Sequence, residues 1–141
     1  MIIRTLSSIE NTERVVCDPN GQWISHRLLL QEDSMGFSFN VTEIKQNCHA
    51  VMEYKNHLEA CYCIRGEGEI IDQDGNSFSI KVGTIYALNK HDRHTLISKT
   101  GMTLVSIFNP ALMGSEVHLS DGSYPRLCLS QIQNSISHEN T

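Results

Sequence analysis

The sequence predicts an all-β fold, an antiparallel sandwich or barrel in a single domain. Three observations predict it. Short runs rich in β-branched and aromatic residues recur at near-even spacing, turn-forming residues separate them, and hardly any stretch carries a helical period. At 141 residues the chain is long enough to bury a core without disulfides. Its apolar and charged fractions, 40% and 19%, are those of a globular domain rather than a disordered chain.

The segment from Leu6 to Val16 is read as a short helical turn and a strand. "QWISHRLLL" (22–30) is the first long strand, closed by the acidic turn "QEDSMG". "FSFNVTEI" (37–44) alternates, with Phe37, Phe39 and Val41 on one face and Ser38, Asn40 and Thr42 on the other. By the usual habit of half-buried sheets the polar face looks at water, unless other strands also aim polar groups at one centre. "AVMEY" (50–54) and "HLEACYCIRGEGEI" (57–70) follow. "EIIDQDGNSFSI" (69–80) is a hairpin about Asp74-Gly75. "GTIYALN" and "TLISKTGMTLVSIF" supply three more strands. The barrel domain is placed at 1–127, and 128–141, short of large apolar residues, is read as a polar, flexible tail.

A net charge of −5 without a Lys/Arg run argues against nucleic acid or an anionic membrane as partner. The opening "MIIRTLSSIENTERVV" has no apolar stretch of the length that a signal peptide or a span needs. Five cysteines, an odd number without a C-x-x-C pair, fit reduced thiols in the cytoplasm and not a zinc ribbon. Cys61 and Cys63 are read as small buried hydrophobes.

Against this background three polar residues converge in chemistry. Glu59 sits at the mouth of an apolar strand, Tyr86 alternates inward with Thr84 and Leu88, and His94 closes "HDRH" at a turn-to-strand junction. Singly, each has an ordinary reading: a solvated carboxylate, a packed phenol, a polar turn. Together they offer one carboxylate, one phenol and one imidazole, a donor set suited to iron(II) or another borderline divalent ion such as zinc(II). Glu116 and His118 form a second pair that shares one face.

The spacing carries a resemblance. Glu59-x6-Gly66 fits the end of the first cupin signature, and Gly83-x2-Tyr86 fits the second with Tyr in place of His. The usual H-x-H is replaced by Met52, Glu53, Tyr54 and Lys55. The words "NGQWISHRL", "YKNHLEACYCIRGEGE", "GTIYALNKHDRH" and "FNPALMGSEVHLSDGSY" resemble the L-ectoine synthase family over residues 1–125. Three positions depart from that pattern: Glu53 stands for a His, Val82-Gly83-Thr84 for Pro-Gly-Asp, and Arg65 for an acidic residue.

The resemblance implies a single cupin barrel (a double-stranded β-helix, or jelly roll) with minor helical turns. It implies an iron(II)-dependent lyase that closes N-γ-acetyl-L-2,4-diaminobutyrate to ectoine with loss of water, a compatible-solute synthesis. Glu59, Tyr86 and His94 would hold the metal. Trp23, Arg27, Asn40, Thr42, Leu88, Phe108, Pro110 and Gly114 would line the substrate pocket. Glu116 and His118, with Tyr54 and His57 behind them, are the candidate acid and base. Arg27 would grip the substrate carboxylate and Trp23 would pack on its carbon chain. Cupins of this size commonly form homodimers by sheet-to-sheet contact. The competing readings are an iron oxygenase, a cupin that cyclises glutamine or hydrolyses ectoine, and a solute-binding cupin without turnover.

Overall fold

The computed structural model describes residues 1–119 and 122–124. The expected boundary at 127 and the tail at 128–141 lie outside the described residues. A single turn of helix, α1 (Leu6–Ile9), starts with the Thr5 hydroxyl accepting the Ser8 N–H, a cap that satisfies one orphan donor of the turn. Ten strands follow among the described residues: β1 (Val15–Cys17), β2 (Trp23–Leu29), β3 (Ser38–Ile44), β4 (Cys48–Met52), β5 (Leu58–Gly66), β6 (Gly68–Ile71), β7 (Ser77–Ile80), β8 (Ile85–Leu88), β9 (His94–Ser98) and β10 (Met102–Asn109).

They form two antiparallel sheets, β1-β2-β3-β10-β5-β8 and β4-β9-β6-β7, with the core between them. The expected all-β architecture is the one found. Chain and sheet order differ because "GEGE" is a corner rather than a hairpin: β5 belongs to the first sheet and β6 to the second. Gly66 permits the corner. Its φ is +75°, and a Cβ there would lie 2.7 Å from the Met102 Cα. The "QEDSMG" turn is a 3-10 helix (Gln31–Asp33) ended by Ser34 in the left-handed region, φ 59°. In the hairpin, the Asp72 carboxylate accepts the N–H groups of Asp74 and Asn76 at 2.9 Å each, so the bend spans 72–76.

The sheet is polar inside. Ser38 and Asn40 are fully buried, whereas Phe39 and Val41 are half-buried on the outer side. Strand register carries this inner polarity across the sheet, because Arg27 opposes Asn40, Asn40 opposes Ser106, Ser106 opposes Cys61, and Cys61 opposes Tyr86. One row thus crosses five strands with a polar or polarisable side chain at every step. Ile44, Leu96, Leu104 and Met102 fill the rest of the interior with apolar volume.

The N-terminus is tied to the β2–β3 turn by Asp33. Its carboxylate meets Arg4 at 2.8 Å and Arg14 at 3.3 Å, and accepts the Leu30 N–H at 2.9 Å. Burial pushes this carboxyl up, but the Arg4 and Leu30 hydrogen bonds and the Arg14 charge outweigh it and hold the pKa below 3.8. The same turn fastens the segment after β10, because the Gln31 N–H donates to Leu112 O at 2.9 Å. Asp33→Asn is expected to cost about 1–2 kcal/mol at pH 7. A depressed folded pKa gives stability that is present above the unfolded value and is lost as pH falls through the lower, folded value. The gap between variant and parent in urea denaturation should therefore close below about pH 4.

Candidate active-site cavity

A narrow pocket opens between the sheets. Among its lining residues are Trp23, Asn40, Thr42, Tyr54, Glu59, Tyr86, Phe108 and His118, all singled out from sequence. The inner face of β5 presents Glu59 and Cys61, and β8 brings Tyr86 opposite Cys61. Glu59 is 8% exposed, and burial pushes its carboxyl up to about 8, only partly offset by the Cys61 thiol. Burial likewise raises the Tyr86 phenol well above its ordinary value, with Cys61 and Glu59 adding to the effect. Cys61 completes this side, its Sγ 3.5 Å from Ser106 Oγ.

His94 stands at the start of β9, with its ring 6.4 Å from that of Tyr86 and 6.1 Å from that of Tyr54. Its Nδ1 is 2.9 Å from Asp92 O, and since a carbonyl only accepts, Nδ1 carries the proton. The lone pair is then on Nε2, which is buried and has no hydrogen-bond partner among the described residues. A dry, unpaired acceptor costs about 1–3 kcal/mol. A backbone carbonyl on one nitrogen with the other left open is also how metal-binding imidazoles are oriented. With the half-buried Tyr86 phenol close to this ring and the buried Glu59 carboxyl on the adjoining strand, the donor types fit a divalent ion. Among the described residues no three His, Cys, Asp or Glu side chains cluster for a metal, so the phenol is essential to such a set.

Opposite stands an aromatic group. Tyr54 Oη is 2.8 Å from His118 Nε2 and 3.3 Å from Met52 Sδ. Burial lowers His118 to about 4, helped by Arg27 and His94 and opposed by Asp18, so its imidazole is neutral at neutral pH. Burial raises the Tyr54 phenol, with the Glu59 charge adding to it. Trp23 meets His118 edge-on at 5.2 Å. The backbone under this group is clamped by His91, whose Nδ1–H lies 2.7 Å from Tyr54 O and 3.0 Å from His57 O.

The remaining residues singled out from sequence are outside the cavity's lining. Arg27 is fully buried and donates to Gly114 O at 2.8 Å, Glu116 O at 2.6 Å and Ser25 Oγ at 3.2 Å. The Glu116 carboxylate accepts the N–H groups of Met113 and Gly114 at 2.7 Å each and lies 3.8 Å from Arg27. Both thus spend their polar atoms on the 112–118 segment. Leu88 opposes Glu59 within the core, His57 packs edge-on against Phe108 at 5.9 Å, and Pro110 is exposed after a cis bond to Asn109. Glu53 reaches Arg93 at 3.8 Å on the rim. Sequence reasoning missed Cys61 and Ser106 as lining residues, although their alternation with Glu59 and Phe108 was the available signal. It also missed Tyr124, which lies in irregular backbone where no periodicity points inward.

His118 gives a stability signature. Its folded pKa is about 4 against 6.5 for the free side chain. The unfolded chain therefore takes up the proton first, and stability drops as pH falls from 6.5 towards 4. The loss attributable to His118 amounts to roughly 2–3 kcal/mol. Denaturation of His118→Asn at pH 7 and pH 5 should show a correspondingly shallower dependence than the parent.

The comparisons with known proteins agree with this architecture. A family model described as ectoine synthase matches residues 1–128. The L-ectoine synthase of Marinomonas sp. (strain MWYL1) is 49% identical over 125 residues, covering 88% of this chain and 97% of that protein. The crystal structure of ectoine synthase from P. lautus superposes with a TM-score of 0.77 at 44% identity, over 81% of each chain. An RmlC-like cupin from Shewanella frigidimarina, 19% identical with a TM-score of 0.58 over 69% of this chain and 83% of that one, shares the fold alone. With the inward polar row, the Glu59/Tyr86 wall and a match along most of its length, this chain belongs to the ectoine synthase family of cupins.

Proposed function

We propose that the protein is an L-ectoine synthase, a lyase that cyclises N-γ-acetyl-L-2,4-diaminobutyrate to ectoine. Relatives bearing that name match 88–90% of the chain, and the observation that carries the reading into the structure is the buried His94 Nε2, without a partner among the described residues and with its ring 6.4 Å from that of the half-buried Tyr86. In the reaction the free amine adds to the acetamide carbon, a C–N bond forms, and the carbonyl oxygen leaves as water with two nitrogen-borne protons. Glu59, Tyr86 and His94 are the residues that would hold a divalent ion, iron(II) being the best match to their O and N donors. Bound there, it supplies Lewis acidity to the weakly electrophilic amide oxygen.

The chain's own groups do the rest. The narrow aromatic wall of Trp23, Tyr54 and Phe108 folds the substrate so that amine and carbonyl meet, converting a rare conformer into the usual one. Neutral His118 offers a ring nitrogen to the ammonium proton, and Tyr54, protonated by burial and 2.8 Å away, relays it towards the departing oxygen. Asn40 and Thr42 give the substrate polar contacts inside the sheet. Arg27 and Glu116 hold the 112–118 wall in place, and this is their role in place of the carboxylate grip and the acid–base work expected from sequence. Breaking such a buried pair from one side costs about 3–5 kcal/mol, so either residue governs activity without touching substrate.

The protein is further read as a cytoplasmic homodimer. Four free thiols among the described residues and the lack there of a helix able to cross a membrane are consistent with the compartment. The dimer rests on the outer face of the six-stranded sheet, where Val41, Val105, Tyr62 and Ile85 stand in register, the last two 45% and 65% exposed. Tyr62→Lys is expected to convert a dimer to a monomer in light scattering, and a monomeric parent refutes the reading.

Anaerobic incubation with iron(II) and N-γ-acetyl-L-2,4-diaminobutyrate should yield ectoine. Glu59→Ala, Tyr86→Phe and His94→Ala should each lower metal affinity by more than the roughly 10–100-fold typical of outer-shell changes. Full metal occupancy in all three variants would remove the assignment.

A further inference from the structure

Part of the cavity wall does not come from strands: Tyr54, His118 and Tyr124 stand in irregular backbone. Tyr124 lines the cavity from beyond His118 and is 4% exposed. Its ring stacks on His118 at 4.7 Å and packs at 5.1 Å from Tyr54 and 5.3 Å from Phe108, with the Arg27 guanidinium 5.7 Å from its centroid. The backbone that carries it is pinned against the β4–β5 connection. Asn56 Nδ2 donates to Tyr124 O at 3.0 Å, and the Glu53 N–H donates to Gly122 O at 3.2 Å. Gly122, at φ +81°, approaches so closely that a Cβ would lie 2.6 Å from Val51 O and 2.7 Å from Met52 Cα. No other residue fits there, so the depth at which the Tyr124 ring enters is fixed.

We propose that Tyr124 is the specificity-determining residue that limits the length of the N-acyl group the cavity accepts. The inference rests on the N-acyl diamine reading given above. Phe108 opposes Glu59 in the β5–β10 ladder, and Tyr124 packs on Phe108, so the acyl end of the substrate lies against these two rings when its oxygen is turned to Glu59. The acyl methyl is the one uncharged end of that substrate, and aromatic faces accept it where they would leave a carboxylate desolvated and unpaired. An apolar wall separates neighbours by only about 10–200-fold per methylene, and the position of the ring is what supplies that factor.

The test compares N-γ-acetyl- and N-γ-propionyl-2,4-diaminobutyrate as substrates of the parent, Tyr124→Phe and Tyr124→Ala. The propionyl-to-acetyl ratio of kcat/KM is expected to rise about tenfold in the alanine variant and to stay at the parental value in the phenylalanine variant. An unchanged ratio in Tyr124→Ala overturns the proposal. Tyr124→Leu, which keeps an apolar filling of smaller reach, takes its place should the alanine variant not fold. Trp23, the only tryptophan, is 4% exposed and touches His118, so acrylamide quenching of its fluorescence reads access to the cavity without any turnover. Quenching should increase in Tyr124→Ala and not in Tyr124→Phe. If the parent turns over neither compound, the ectoine synthase reading fails, and the quenching alone decides: equal shielding in all three proteins refutes the wall role of Tyr124.

Discussion

Everything in this barrel depends on keeping polar side chains dry on the concave face of a sheet. A row running from Arg27 through Asn40, Ser106 and Cys61 to Tyr86 lies where an ordinary sandwich would place valine and leucine. Each member brings a desolvation cost of about 1–3 kcal/mol unless it finds a partner. Some partners are internal, such as Ser106 for Cys61 and Thr42. Others are missing among the described residues: Asn40 Oδ1 and His94 Nε2 have none there. A fold that accepts those costs concentrates unsatisfied polarity at one place, and that place is where a charged, polar ligand gains most.

The same constraint explains the two layers of the site. The groups with unsatisfied or strongly shifted chemistry, Glu59, Tyr86, His94, Tyr54 and His118, face inward. Arg27 and Glu116, hydrogen-bonded to the 112–118 segment, stand one layer back. Arg27 cannot be buried alone, and three acceptors at 3.2 Å or less together with the Glu116 carboxylate supply what water would have given. Charge placed there stiffens an irregular segment that no strand pairing supports. The Asp33 knot reaches the same segment from the other side through Gln31 and Leu112.

Much of this was legible in the residues. The period-two runs of β3, β5 and β10 fixed both the strand type and the shared face of Glu59 and Cys61, because successive Cβ atoms must alternate. The candidate grouping of Glu59, Tyr86 and His94 was a matter of residue chemistry and spacing, with the family words beside it. Which face of "FSFNVTEI" is inside was not legible, because alternation fixes that two faces exist and not which one meets the second sheet. The structure buries the polar one, since Phe39 and Val41 have an outer apolar row to join.

By itself, then, the sequence determined the all-β class, the strand alternation and a set of side chains with metal-binding and proton-handling chemistry, all properties of local spacing and residue type. Only the tertiary structure decided which of them share a cavity. Arg27 and Glu116 are turned to the segment behind the wall, and Tyr124, invisible to periodicity, is brought against His118. The physical reason is that a long side chain's partner is chosen by contacts between distant parts of the chain. Arg27 and Gly114 are 87 residues apart in sequence and 2.8 Å apart in space.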